Sequence, residues 1–289
     1  MASIQYRLFS RVISILPLKL RINVLFFRRF GRFANLKSPN TFNEKLQVRK
    51  LYDRDKLLTV AADKLASKEF VKSIHQGLYI PKTIWVGESV SDIDSLDIKH
   101  LPENYVFKAN HTSQTIKIIR DGRHLEPIKM KVLANDWLKH DQSGSLGEWA
   151  YKNIPRRVFI EEFLDFEGQA PDDYKFFVFH GKVKYVQLDS DRFSDHCRNI
   201  FDSDWNDLNI NFSHPQKTPS PNRPLFLEDM IEIAESIGKY FDFIRVDLYF
   251  YQEKVTFGEL TVYPGAGYEK FPDLSYDILF GSHWVQSYS

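Results

Sequence analysis

The stretch FIRVDLYFYQEKVTFGELTVYPGAG, residues 243–267, decides the fold of this chain. Apolar and aromatic side chains dominate residues 243–251 and return in residues 255–262, and a polar triplet lies between the two runs. Two such runs joined by a short polar turn are typical of a β-hairpin, and the Pro-Gly segment that follows predicts a loop. We therefore predict a two-stranded hairpin and interpret the rest of the chain around it.

This hairpin carries two acids, Asp247 on its first strand and Glu259 on its second. Side chains two residues apart share one face of a strand, so Arg245 and Asp247 are expected to point the same way. A turn at residues 252–254 brings Asp247 and Glu259 nearly opposite each other, where they repel unless a cation lies between them. Mg²⁺ takes one or two carboxylates together with substrate phosphates. The hairpin alone therefore predicts either a magnesium and phosphate site or an acid that points to solvent, as most strand acids do.

Composition limits the class of protein. The 289 residues, 43% of them hydrophobic, suffice for one large domain or two smaller ones. The formal net charge of +1 argues against a polyanion-binding protein, and the single cysteine, Cys197, excludes an intrachain disulfide and makes a cysteine-rich metal site implausible. One cysteine also fits a reducing compartment. No apolar run reaches the roughly 18 to 20 residues of a membrane span. With a cysteine content that fits a reducing compartment, we expect a cytoplasmic protein.

The first 43 residues contain no Asp or Glu, and we assign residues 1–37 to a basic amphipathic helical leader. Pro17 is expected to divide it into two short helices. The cations of this leader are Arg7, Arg11, Lys19, Arg21, Arg28, Arg29, Arg32 and Lys37.

Such a leader can lie on an anionic membrane surface, or it can pack on the main domain with its arginines solvated. A secretory signal is a weaker interpretation, because Pro17, Lys19 and Arg21 interrupt its apolar part. A nucleic-acid-binding arm is weaker still, because no recognised reader motif follows.

Residues 38–289 predict an α+β fold with antiparallel sheets and no βαβ series. Residues 56–71 are predicted as one helix, on which Lys64 by itself is an ordinary solvated lysine. Lys108 ends a predicted strand beside a polar loop, a position from which an ammonium group can face a phosphate. A later strand carries Glu161 and Glu162. The chain has neither a Walker motif nor a GxGxxG after a strand, so any nucleotide would have to lie between sheets.

Several segments, taken together and in order, resemble one family. They are FNEKLQVRKLYDRD, ADKLASKEFV, YVFKANH, FIEEFL, PDDYKFFVFHGKV, SDRF, FIRVDLYF and FGELTVYPGAGYEKF. Each is weak alone, but the ordered set is similar to the ATP-grasp superfamily, and within it to the TupA-like group linked to teichuronopeptide and capsular polysaccharide biosynthesis. The resemblance covers roughly residues 38–289. It implies a nucleotide held between two antiparallel sheets, with a lid-like subdomain at about residues 80–160.

The resemblance further implies ATP and Mg²⁺ as cofactors and assigns residues to the nucleotide. Two of these residues are phosphate-contacting lysines, two lie on the strand that meets adenine and ribose, and two belong to the DDYK sequence. They are, in that order, Lys64, Lys108, Glu161, Glu162, Asp173 and Lys175.

The resemblance also assigns the metal ligands, which lie on the hairpin, and the catalytic candidates. Asp247 and Glu259 match the two Mg²⁺ carboxylates, and Thr261 stands as a weaker oxygen ligand where many ATP-grasp enzymes have Asn. Arg245 and Arg192 are catalytic candidates on the side of the acyl phosphate or the acceptor.

The implied activity is ATP-dependent ligation of a carboxylate to an amine through an acyl phosphate. The expected partners are a polysaccharide or lipid-linked glycan acceptor, such as a uronic acid, and an amino acid or amino sugar as the amine, with no nucleic acid. The basic leader would suit an enzyme at the inner face of the cytoplasmic membrane.

Two alternatives to this activity remain open, and a departure from the family pattern bears on the second of them. Residues 112–115, TSQT, contain no glycine, whereas the family's loop is usually glycine-rich so that backbone N–H groups close over the phosphates. The alternatives are a glycosyltransferase of the same pathway, with a metal at Asp247 and Glu259, and a catalytically inactive ATP-grasp scaffold.

Overall fold

In the part of the chain that the computed structural model describes, residues 13–192 and 194–288, nine strands form two antiparallel sheets. Helices cover both sheets, which confirms the predicted α+β fold. The helices are α1 (Leu18–Phe30), α2 (Phe42–Tyr52), α3 (Lys56–Ala62), α4 (Lys64–Ile74), α5 (Pro127–Lys139), α6 (Gln142–Leu146), α7 (Leu227–Gly238) and α8 (Leu274–Ser282).

The smaller sheet has four strands in the order β1-β4-β2-β3. They are β1 (Thr83–Gly87), β2 (Tyr105–Ala109), β3 (Ile116–Ile119) and β4 (Val158–Glu162). Helix α5 packs on this sheet through Met130, Ala134 and Trp137, and Trp137 lies 5.0 Å from Phe107 between ring centroids. The sheet therefore has a hydrophobic core of its own within the residues where we predicted a lid.

The larger sheet has five strands in the order β7-β6-β5-β8-β9. They are β5 (Asp173–Phe179), β6 (Lys182–Ser190), β7 (Cys197–Asp202), β8 (Phe243–Tyr251) and β9 (Lys254–Thr261). The predicted hairpin is thus β8–β9, and β8 also pairs with β5, which lies far away in sequence.

Aromatic packing joins the larger sheet to α2 and to the C-terminal segment. The Phe42 ring lies 5.0 Å from Phe243 and 5.9 Å from Trp284, and all three side chains are buried. Full burial of such a side chain contributes roughly 1.5–3 kcal/mol. This cluster fixes α2 against the start of β8, which is the strand that carries Arg245 and Asp247.

The predicted single helix at residues 56–71 is wrong. The helix breaks at Asp63, whose backbone is extended and whose carboxylate accepts a hydrogen bond from Leu65 N at 2.9 Å. An N-terminal cap of this kind satisfies a backbone N–H that would otherwise have no partner. Lys64 is therefore the first residue of α4 rather than a solvated residue within a long helix.

Residues 1–12 of the leader, which include Arg7 and Arg11, lie outside the described residues. Beyond them, α1 begins directly after Pro17, and its Ile22 and Phe26 are fully buried. Arg29 Nε donates to Tyr268 O at 2.7 Å. The described part of the leader therefore packs on the body of the protein.

Among the described residues, no helix combines the length and the hydropathy that crossing a bilayer requires.

Candidate active site

The hairpin register brings the two predicted metal-binding carboxylates together. Asp247 lies directly opposite Glu259, and Arg245 lies opposite Thr261. The register shifts immediately afterwards, where β9 contains Gly258. A Cβ at Gly258 would lie 2.9 Å from Asp247 O, so only glycine lets the two backbones approach this closely. The bulge therefore ends the regular pairing beside the acid pair, as bulges often do next to active sites.

Arg245 holds this group in place. Its Nε and Nη2 donate to the two oxygens of Asp247 at 2.8 and 2.7 Å, and Nη2 also donates to Thr261 Oγ1 at 3.0 Å. Glu259 Oε1 lies 3.8 Å from the same nitrogen. Burial acts to lower the pKa of Arg245, but Asp247 and Glu259 raise it above its ordinary value. The guanidinium is therefore a fixed positive charge between the two strands.

Strand β5 adds a second row of charges to this face. Lys175 lies opposite Asp247 in the pairing of β5 with β8, and Lys175 Nζ is 3.4 Å from Asp247 Oδ2. The same ammonium contacts Asp173, to which Arg192 Nη1 also donates at 2.6 Å. Burial acts to lower the pKa of Lys175, but Asp173 and Asp247 raise it. The structure thus brings Asp173, Lys175 and Arg192 next to the hairpin group.

The sequence interpretation missed Asp189 and Arg198, which extend this row. Asp189 lies opposite both Asp173 and Arg198 in the sheet, and Arg198 Nε donates to Asp189 Oδ1 at 2.6 Å. Burial acts to raise the pKa of Asp189, but the hydrogen bonds from Arg198 hold it well below its usual range. The available signal was the alternation of Gln187 and Asp189 with Val186 and Leu188 in the second half of β6.

On the smaller sheet, Glu161 forms ion pairs with Lys108 and Lys68. Lys68 was also missed, although its position one turn after Lys64 on α4 puts the two lysines on one helix face. Lys68 Nζ also donates to Pro81 O at 2.7 Å. Burial acts to raise the pKa of Glu161, but Lys108 and Lys68 lower it below its ordinary value. Glu161 is therefore an ionised carboxylate held between two lysines.

Glu162 does not join this cluster. Successive strand residues point to opposite faces, and Glu162 accepts hydrogen bonds from Tyr79 Oη at 2.7 Å and Lys82 N at 2.9 Å. The backbone of Tyr79 in turn pairs with β9 of the larger sheet, through Val255 and Phe257. Glu162 therefore lies at the connection between the two sheets.

Lys64 lies at the glycine-free loop, residues 112–115. Its ammonium donates to Thr112 O, and its backbone N donates to Asn110 O at 3.1 Å. The hydroxyls of Thr112 and Thr115 are hydrogen-bonded to each other. Burial lowers the pKa of Lys64, and the nearby charge of Glu259 opposes that shift. The loop is thus fixed by the lysine that was predicted to contact phosphate.

Some of these residues border a cavity of about 360 Å³. The predicted site residues that do not line it are Lys108, Glu161, Glu162, Asp173, Lys175, Arg192 and Asp247. Lys64, Ser113, Arg245, Glu259 and Thr261 line it together with residues of α6 and of the segments that follow α6 and β9. The cavity thus brings the lysine of α4, the loop of the smaller sheet and the acid-bearing hairpin of the larger sheet into one space. Side chains of both charges face it, which suits a ligand that carries phosphate and a metal.

Helix α2 explains how the loop after β9 is held. Its Gln47 and Lys50 are fully buried and donate to the backbone of that loop, with Gln47 Nε2 2.8 Å from Gly267 O and Lys50 Nζ 2.7 Å from Ala266 O. Arg49, also fully buried, donates to Phe243 O at 2.9 Å and Val262 O at 3.2 Å, which ties together both ends of the hairpin. The polar residues of FNEKLQVRKLYDRD therefore support the cavity wall.

The residues of the hairpin fit Mg²⁺. Asp247, Glu259 and Thr261 offer hard oxygen donors, and Glu259 is half-exposed and lines the cavity. The hydrogen bonds from Arg245 and the ion pair with Lys175 leave acceptor capacity on the Asp247 carboxylate, because its two oxygens have about four lone-pair sites. No group of three or more His, Cys, Asp or Glu residues in the described part of the chain is arranged to hold a metal alone. This donor set matches an ion that is shared with substrate phosphates.

Three solved structures to which this chain is similar in fold are ligases of low sequence identity. A D-alanine–D-alanine ligase from Helicobacter pylori is 15% identical with a TM-score of 0.46, and the match covers 80% of this chain and 60% of that one. A D-Ala:D-Ser ligase from Enterococcus faecalis is 14% identical with a TM-score of 0.45, covering 78% and 61%. A phosphoribosylamine–glycine ligase from Thermotoga maritima is 15% identical with a TM-score of 0.43, covering 73% and 51%.

The chain therefore spans between about half and three-fifths of the length of these ligases. No curated protein matches its sequence significantly. The TupA-like ATP-grasp family model, in contrast, matches residues 44–285, which include all the hairpin and sheet residues described above. This protein belongs to the TupA-like ATP-grasp family.

Proposed function

We propose that this protein is an ATP- and Mg²⁺-dependent ligase that joins a carboxylate to an amine. The observation that carries the proposal is the cavity in which Lys64, Arg245, Glu259 and Thr261 meet, with Asp247 opposite Glu259. Cations at fixed positions bind phosphate oxygens, and paired acids take the metal that accompanies them. Positioning and electrostatic stabilisation are the main contributions that a protein makes to phosphoryl transfer.

The proposed reaction has two steps. A carboxylate oxygen of the acceptor attacks the γ-phosphorus of ATP, and the bond to the bridging oxygen breaks, so that ADP leaves with the electron pair. The amine nitrogen then attacks the carbonyl carbon of the acyl phosphate. A C–N bond forms, phosphate leaves with the C–O electron pair, and the protons lost by the nitrogen pass to solvent.

The residues of this chain have separate tasks in that scheme. Lys64 and Arg245 bind the oxygens of the transferred phosphoryl group, and the ion pair with Lys175 orients Asp247. Asp247, Glu259 and Thr261 hold Mg²⁺, which supplies neutralisation of the phosphate charge when it is bound. Fixed charges of this kind stabilise developing negative charge without reorganisation.

For the acceptor we propose a uronic acid of a cell-surface polysaccharide or its lipid-linked precursor, and for the amine an amino acid or amino sugar. The position of Arg192 supports the proposal of an acidic acceptor. Its side chain is 44% exposed, and its Nη1 is held by a hydrogen bond to Asp173. An exposed guanidinium with free donors can bind a carboxylate in bidentate geometry.

The test is ADP release in the presence of Mg²⁺ with D-glucuronic acid and a panel of amino acids and amino sugars. The proposal predicts release that needs ATP, Mg²⁺ and both substrates, together with an amide product by mass spectrometry. Turnover of a sugar nucleotide without ATP would instead identify a glycosyltransferase. ATP binding without turnover of any pair would favour an inactive scaffold, which the glycine-free loop at residues 112–115 makes conceivable.

We also propose that the leader binds an anionic membrane surface from the cytoplasmic side. Its buried residues face the body of the protein, but Ile15, Leu20, Phe27 and Phe33 are exposed, with side chains between 49% and 83% accessible. Lys19, Arg28 and Arg29 are exposed beside them. An apolar strip flanked by cations is typical of a helix that lies in a membrane interface.

Vesicle sedimentation tests this part of the proposal. The variant Lys19→Glu/Phe27→Ser leaves the buried face of α1 intact and should reduce binding to vesicles that contain phosphatidylserine. Equal binding of wild type and variant would contradict it. A truncation of the leader is a poorer test, because it would also remove the buried Ile22 and Phe26.

A further inference from the structure

Glu148 is a buried carboxylate in the wall of the cavity with no task in the scheme above. It precedes the turn Trp149–Tyr151, is 4% exposed and lines the cavity together with Gln142 and Tyr151. Buried carboxylates are rare unless they are paired, so its position requires an explanation.

Its partners inside the protein are few. Gln142 Nε2 donates to Glu148 Oε2 at 3.0 Å, and no other hydrogen bond to this carboxylate is present among residues 13–192 and 194–288. Lys50, the nearest compensating charge, directs its ammonium elsewhere, to Gln47 Oε1 at 3.0 Å and Ala266 O at 2.7 Å. A carboxylate has about four acceptor sites, so most of those of Glu148 are unused.

The electrostatic surroundings of Glu148 favour the binding of a cation beside it. Burial raises the pKa of Glu148, and Lys50 only partly opposes this shift. Burial also raises the pKa of Tyr151, and the charges of Glu148 and Glu259 raise it further. Tyr151 is therefore close enough to Glu148 and Glu259 for the charges of both to act on it. All three side chains also line the same cavity.

We infer that Glu148 binds the amine substrate in its ammonium form and thereby selects cationic amines. The bound ammonium group then passes one proton to solvent, and the neutral nitrogen attacks the acyl phosphate. The inference rests on the proposed ligase function and adds the recognition of its second substrate. An ammonium group offers three donors to the unused carboxylate acceptors, and the rings of Tyr151 and Tyr263 form an aromatic wall at which a cation is also favoured. Gln142 orients the carboxylate, and Lys50 holds the loop at Ala266 that completes the wall.

The alternative is that Glu148 only balances the buried charge of Lys50. The two interpretations differ in one measurable respect, which is the dependence on the charge of the amine. A cationic amine, glycinamide, requires the carboxylate if the inference is correct. A neutral amine, hydroxylamine, also reacts with an acyl phosphate and does not require it.

The experiment compares wild type with Glu148→Gln at neutral pH, with ATP, Mg²⁺ and D-glucuronate. The variant should raise the KM for glycinamide at least tenfold and change kcat less than threefold, while the formation of hydroxamate from hydroxylamine stays within twofold of wild type. The control Glu69→Gln changes an exposed acid of α4 and should alter neither. A glycinamide KM within twofold of wild type would overturn the inference.

Loss of the Glu148 charge leaves Lys50 without compensation, so the single variant can lose stability. The double variant Lys50→Met/Glu148→Gln removes both buried charges but also the hydrogen bond from Lys50 to Ala266 O. It should show the same rise in KM for glycinamide while hydroxamate formation stays within twofold of wild type, which shows that the cavity wall is intact. If the wild type forms hydroxamate but its KM for glycinamide equals that of Glu148→Gln, the role of Glu148 is refuted and the ligase proposal stands. A wild-type enzyme that forms neither product would refute the ligase proposal itself.

Discussion

Asp247 lies directly opposite Glu259 across the β8–β9 hairpin, and both oxygens of Asp247 are held by Arg245 from two residues earlier on the same face. Two facing carboxylates repel, and here one of them is neutralised by Arg245 and Lys175 while the other lines the cavity. The pair therefore combines a rigid anchored acid with an accessible one. The predictions below follow from this arrangement and from the elements that support it.

Lys64→Met should weaken ATP binding by about 10- to 100-fold, because a hydrogen bond to a charged group contributes about 1.5–3 kcal/mol. The lysine lines the cavity and also fixes the loop at Thr112. Isothermal titration with ATP and Mg²⁺ measures the effect. Lys72→Met, an exposed lysine of the same helix, is the matched control and should bind ATP as the wild type does. Equal affinities in the two variants would remove Lys64 from the nucleotide site.

The ion pairs of Glu161 should make stability depend on pH. Its folded-state pKa lies below the ordinary 4.5, because Lys108 and Lys68 outweigh the effect of burial. A lowered carboxyl pKa contributes stability that is fully present above the unfolded value and is lost as pH falls through the folded value. The free energy of unfolding of the wild type should therefore fall as pH drops below about 4.5.

Glu161→Gln should be less stable at neutral pH by about 3–5 kcal/mol, because the buried Lys68 and the partly exposed Lys108 lose their partner. Its further loss of stability below about pH 4.5 should be smaller than that of the wild type. Urea unfolding at a series of pH values measures both quantities, with Glu253→Gln in the exposed hairpin turn as the control. An identical pH dependence in wild type and Glu161→Gln would show that this carboxylate is not held ionised.

Gly267→Ala should destabilise the protein more than Gly168→Ala does. Both glycines have positive φ, +65° and +79°, where alanine costs about 1–2 kcal/mol. At Gly267 the added Cβ would also lie 2.4 Å from Gln47 Nε2 and 2.8 Å from Leu46 Cβ, whereas at Gly168 nothing lies within 4 Å. Chemical denaturation of both variants separates the steric effect from the backbone effect. Equal losses would mean that α2 does not pack tightly against the loop after β9.

The hairpin could be predicted from the sequence because its determinants are local. Alternation of side chains and a short polar turn fix which residues of adjacent strands face each other. The predicted opposition of Asp247 and Glu259 is therefore found in the register. The resemblance to the TupA-like ATP-grasp group is likewise confirmed over residues 44–285.

The rest of the site depends on strand order, which local patterns do not determine. Lys175 meets Asp247 only because β5 pairs with β8, and Asp189 joins them only because β6 lies on the other side of β5. Glu148 and Lys50 are similar cases, since both are buried by contacts between segments that are distant in sequence. At Asp63 the error was local: a capping aspartate was read as an ordinary helix residue.

The central claim is that the cavity binds ATP with Mg²⁺ through the Asp247–Glu259 pair. Thermal unfolding with ATP, in Mg²⁺ and in EDTA, tests it most directly. A ligand at about 100 times its Kd stabilises by roughly 2.7 kcal/mol, which raises the melting temperature by several degrees for a chain of this size. The account predicts this rise with ATP and Mg²⁺ in the wild type, and its loss in EDTA and in Asp247→Asn. No rise in the wild type, or an undiminished rise in folded Asp247→Asn, would contradict it.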